Sequence, residues 1–140
     1  MAFLERGEFS QARLAFQTVI RRYEGDAAEP LAYWAMALSF YEEGGYENLL
    51  LAKDQLRNYL LFYPSQEDLE GFREAAQIDI GIISMEMMRL APDDNTRATA
   101  LKNATQAFEV FLKKFPDSDL IQMASSYLSQ LATLFANPAR

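Results

Sequence analysis

With 140 residues, half of them apolar, the chain is long enough to bury roughly two thirds of its unfolded surface and too apolar to remain disordered. Its formal charge of −7, with basic residues adjacent only at Arg21–Arg22 and Lys113–Lys114, argues against nucleic acid as a partner, which needs clustered cations. The absence of cysteine and histidine removes disulfides, thiolate chemistry, the usual zinc ligands and the commonest general base, so neither a metal nor a cofactor is expected.

The opening MAFLERGEFSQ has no basic stretch followed by an apolar one, and no run approaches the roughly 18 apolar residues of a membrane-spanning helix, so these residues are expected to be soluble. Residues 1–6 read as the last turns of a helix with Phe3 and Leu4 on its apolar face, and Gly7 turns the chain. Phe9, Ala12, Phe16, Val19, Ile20 and Tyr23 then keep the 3/4 spacing of one buried helical stripe. The set Gly7, Phe9, Ala12 and Phe16 resembles the second helix of a tetratricopeptide repeat, in which a small residue lets two helices approach closely. After a polar loop over residues 24–29, Pro30 is placed at the first position of a helix over 31–41, apolar almost all round. Tyr33, Met36, Ala37, Phe40, Gly44 and Tyr46 fall at tetratricopeptide spacings.

A further helix is predicted over 47–62 and stopped by Pro64. Ser65 with Asp68 can form a capping box for a long helix over 66–90. Its apolar residues form two adjoining stripes: Phe72, Ala76, Ile80, Ile83, Met87 and Leu90 in one, Ala75, Ile78, Ile82 and Met85 in the other. A wedge of Arg73, Glu74, Gln77, Gly81 and Ser84 is left for solvent or close contact, with Gly81 suiting the latter, and Met88 is the methionine placed nearest to exposure. Residues 92–95 read as a helix-breaking loop, 96–114 as a helix closed by Pro116, and 119–135 as a last helix capped by Ser118 and ended by Asn137–Pro138. Ile121, Ala124, Leu128, Leu131 and Leu134 form its stripe.

Laid over one another, Ala12–Phe16–Val19–Ile20–Tyr23, Ala52–Leu56–Tyr59–Leu60–Tyr63 and Ala104–Phe108–Phe111–Leu112–Phe115 match in size and polarity at every position. The fold expected is all-α, a right-handed tetratricopeptide-like solenoid of about six to seven antiparallel helices. It divides into a partial repeat over 1–29, a repeat over 30–64, a long repeat over 65–116 and the first helix of another over 117–136. The module alanines lie 40 and then 52 residues apart, against about 34 in a regular array, and both ends are expected to expose apolar surface.

Second helices ending FLKKFPDS at 111–118 and YLLFYPS at 59–65, with a lengthened third repeat and a last helix carrying Ala124, Leu128, Leu131 and Leu134, resemble the BamD family of outer-membrane assembly lipoproteins. The likeness covers nearly the whole chain and about the first half of such a protein. It implies a periplasmic, non-enzymatic scaffold at the inner face of the outer membrane, held by a lipid on a cysteine upstream of Met1. Its partners would be outer-membrane protein precursors and other subunits of the assembly machine. Periplasmic tetratricopeptide domains associated with the Tol-Pal system, or a cytoplasmic adaptor, share the same helix endings.

Trp34 and Tyr41, seven apart on one helix, are the aromatic candidates for a partner-binding groove; the alternative for them is inter-helix packing. Asp79 and Glu86, also seven apart, lie about 20° from each other on the helical wheel and about 10 Å apart along the axis. A hydrolase using both carboxylates finds no accompanying nucleophile or histidine. They are expected either to line the groove or to be satisfied by Arg57, Lys102 or a tyrosine hydroxyl.

Overall fold

The computed structural model describes residues 8–22, 28–62 and 70–136, and among them every regular element is an α-helix. In order these are α1 (Phe9–Arg22), α2 (Ala28–Glu43), α3 (Tyr46–Phe62), α4 (Glu70–Leu90), α5 (Asp94–Lys114) and α6 (Ile121–Ala136). The early turns at 1–7, Tyr23, the Pro64 stop, the Ser65–Asp68 capping box and the Asn137–Pro138 ending lie outside the described residues. The chain divides into two compact units, Met1–Gln66 and Glu67–Arg140.

In the first unit α2 packs against both α1 and α3. Ala12, at the centre of the α1 stripe, is fully buried. Arg13 joins α1 to α2 twice: its guanidinium lies 2.8 Å from the Glu43 carboxylate and 4.2 Å from the centre of the Phe40 ring. α2 begins at Ala28 rather than at Pro30, so the proline sits within the first turn, where no intrahelical N–H is needed. It ends at Gly44 and Gly45, whose φ values of 80° and 89° lie in the left-handed region. There the Gly44 N–H returns to the Phe40 carbonyl and the Asn48 side chain donates to the Gly44 carbonyl at 2.9 Å. This tight turn sets α3 back against α2 through Leu49, Ala52, Leu56 and Tyr59, all buried.

In the second unit α5 packs against both α4 and α6. The core is Ile78, Ala104, Phe108, Phe111, Ala124 and Leu131, with Ile82, Met85 and Met88 of α4 packed against it. Met88 is therefore a packing residue rather than an exposed one. The wedge of α4 left for solvent or close contact is the close contact: Gln77, Gly81 and Ser84 are all buried. Gly81 faces the Phe108 ring, and the Gln77 amide donates to the Ala107 carbonyl of α5 at 3.0 Å. Ala76, Ile80, Ile83 and Met87 are buried as the first apolar stripe requires, while Phe72 and Leu90 at its ends are exposed.

Asp93 is the N-cap of α5, accepting from the Thr96 N–H at 2.7 Å, so the helix starts within the stretch read as a loop. At its other end the Phe115 N–H donates to the Phe111 carbonyl and Pro116 follows. Ser118 is buried; its hydroxyl donates to Glu74 at 2.6 Å and accepts from the Leu120 N–H, while its carbonyl accepts from Ile121. Among the described side chains, the exposed face of α6 is polar, with Ser125, Ser126, Ser129, Gln130 and Thr133 around one large apolar residue, Met123. Among the described residues, the large apolar side chains exposed on the outer helices are Leu14 of α1 and Met123 of α6, and the larger share lies on α2 and α3.

Candidate partner-binding surface

α2 buries Ala32, Met36, Ala37 and Ser39 on one side, the hydroxyl of Ser39 donating to the Met36 carbonyl at 2.8 Å. Its other side carries Leu31, Trp34, Leu38 and Tyr41, spaced three, four and three residues apart, which places them in one stripe along the helix. Leu31, Leu38 and Tyr41 are exposed at 45%, 39% and 41%, too open for a core position. Trp34 is half-buried, its indole edge-on to Tyr59 with ring centres 6.3 Å apart. The structure thus unites the two aromatic candidates: Trp34 is braced by inter-helix packing, and Tyr41 is presented outward on the same face.

The carboxylate candidates lie on α4 and are not equivalent. Asp79 is half-buried, and burial raises its pKa to about 6. Glu86 is paired along its own helix with Arg89, whose Nε donates to both carboxylate oxygens at 3.0 and 3.1 Å; this bond holds the Glu86 pKa below its usual value. For Glu86 the partner is thus Arg89 rather than the expected Lys102, an exposed side chain that forms no salt bridge with it. The two carboxylates thus stand on different footings, one half-buried and one ion-paired on its own helix, and among the described residues there is no group of three metal-ligating side chains.

Two features escaped the sequence reading. Lys53 of α3 is buried, with 2% of its surface exposed, and burial followed by repulsion from Arg57 lowers its pKa. A cavity of about 320 Å3 opens within the first unit, with Gln17 and Arg21 of α1 and Gln55 and Asn58 of α3 among its lining. Arg21 had a sufficient explanation as a cation in the last turn of α1, and amides drawn from two helices leave no local pattern. No described helix is long and apolar enough to cross a membrane. No protein-family model matches the chain, and no curated protein or solved structure matches it either.

Proposed function

We propose that this chain is a non-catalytic protein-binding scaffold, a right-handed tetratricopeptide-like solenoid similar to the N-terminal part of BamD. It would act in assembling β-barrel proteins into the bacterial outer membrane, at that membrane's periplasmic side, tethered by a lipid on an upstream cysteine. Its first helices, α2 and α4, present Trp34, Tyr41, Asp79 and Glu86 to segments of client precursors and of neighbouring assembly subunits.

The observation that carries this reading is the equal burial of corresponding positions in the second and third copies of the module, with the central alanine buried in all three; Phe16 and Val19 of the first copy are half-buried. Ala12, Ala52 and Ala104 are each 0% exposed; Leu56 and Phe108, then Tyr59 and Phe111, are buried in step. Leu60 and Leu112 are both half-buried. In the first helices Met36 matches Ile80, and Ala37 matches Gly81, as buried medium and small positions. A repeat whose copies share one packing register, with exposed Leu31, Leu38 and Tyr41 in one stripe on a first helix, has the layout of an interaction module.

Depleting the full-length protein from its own cells tests the assignment. Levels of outer-membrane β-barrel proteins are expected to fall before those of inner-membrane proteins. Unchanged barrel levels with a defect in cell-envelope constriction would favour the Tol-Pal type of scaffold instead.

A further inference from the structure

The exposed face of α3 carries Leu50, Asp54, Arg57 and Leu61, spaced four, three and four residues apart. They fall within about 60° of the helical wheel, so they form one stripe nearly parallel to the helix axis. All four are exposed, the leucines at 39% and 71%, and the stripe lies roughly opposite the packing surface of Leu49, Ala52, Leu56 and Tyr59. Asp54 and Arg57 stand three residues apart, a spacing at which side chains can pair along a helix, yet among the described residues neither forms a salt bridge. The stripe reads the same in both directions apart from the sign of charge. Leu50 and Leu61 are equally far from a point between residues 55 and 56, and so are Asp54 and Arg57.

We propose that this stripe docks on the same stripe of a second copy of the chain, α3 against α3 and antiparallel, about a two-fold axis level with that midpoint. A two-fold contact uses one patch twice, so the patch must be its own complement. Antiparallel pairing at this register sets Leu50 against the Leu61 position of the other copy and Asp54 against the Arg57 position, giving two apolar contacts and two ion pairs. Parallel pairing would set Asp54 against Asp54 and Arg57 against Arg57, and the like charges exclude it. A lipid surface is a poor occupant, since the stripe has charges at its middle and the chain carries −7. The contact extends over about 17 Å of helix, so the dimer is weak, with a dissociation constant on the order of 10–100 µM. This pairing goes beyond the scaffold reading and does not depend on it.

Sedimentation equilibrium of the full chain reads the association, at about 0.15 M salt, where the net charge of each copy is screened beyond about 8 Å. The unsubstituted chain is expected to dimerise with rising concentration. Asp54→Arg and Arg57→Asp, both at exposed positions, each place like charges opposite one another and should each weaken self-association at least about tenfold. The two substitutions move the net charge in opposite directions, so a loss in both is not a net-charge effect. Mixed in equal amounts, the variant with two arginines meets the variant with two aspartates, and a heterodimer should form with an affinity within about threefold of the unsubstituted chain. That recovery also shows that both variants fold. A chain monomeric up to about 1 mM would overturn the proposal and leave the stripe to a different partner. Self-association indifferent to both substitutions would overturn it by placing the contact on another face, and variants that fail to pair with each other would overturn the register.

Discussion

At Gly81 a Cβ would lie 2.5, 2.6 and 2.9 Å from three carbons of the Phe108 ring. That ring has no room to retreat: it is fully buried and stacked on Tyr127 at 5.1 Å. Alanine would gain about 1 kcal/mol of helix propensity but would force overpacking that costs about 1–3 kcal/mol. Gly81→Ala is therefore expected to be net destabilising by about 1 kcal/mol in urea unfolding, and Phe108→Leu in the same chain should recover part of the loss. Asp79 carries a different penalty. Its carboxyl titrates near 3.8 in the unfolded chain and near about 6 in the fold, so between these values the folded state binds more protons. Stability is complete below the lower value and falls as pH rises through the upper one. Asp79→Asn, uncharged throughout, should gain on the order of 1–2 kcal/mol at about pH 7 and nothing near pH 4, after allowance for partial exposure. An equal gain at both pH values would place the cause elsewhere than the carboxylate charge.

Among the elements, α3 and α5 were the most legible, because the apolar positions from Ala52 to Leu60 and from Ala104 to Leu112 recur at strict helical spacing and their burial follows it. The polar wedge of α4 was harder to place, because polarity in a sequence does not say where a hydrogen bond ends. Gln77 finds its partner thirty residues away at Ala107, and Ser84 donates to the Ile80 carbonyl of its own helix at 2.8 Å. Helix starts were displaced for a related reason. Asp93 and Asp94 resemble loop residues, yet one caps α5 and the other occupies its first turn, where a carboxylate meets the helix dipole favourably. Ser118, read as the cap of a helix starting at residue 119, instead closes the turn before α6, which starts at Ile121, and its bond to Glu74 of α4 left no local pattern. Ser118→Ala is expected to lower stability by about 1–2 kcal/mol in thermal unfolding. In a cycle with Glu74→Gln the two losses should fail to add, which independent sites would not show.

For the whole molecule, each compact unit is, among the described residues, a set of three helices with one at its centre: α2 in the first, α5 in the second. The all-helical class followed from periodicity, whereas the candidate surface was only half visible. Trp34 and Tyr41 stood out as aromatics seven residues apart, but the stripe they share with Leu31 and Leu38 appeared only once exposure was known. The amide-lined cavity draws on three helices, which no single stretch of sequence encodes. The central claim, that the exposed face of α2 receives a protein partner, is tested most directly by photocrosslinking in cells that make the full-length protein. Photoreactive residues would replace Trp34 and Tyr41, with Ser125 on the polar face of α6 as the comparison. The account predicts protein adducts at Trp34 or Tyr41 and none at Ser125; adducts at Ser125 with none on α2 would contradict it.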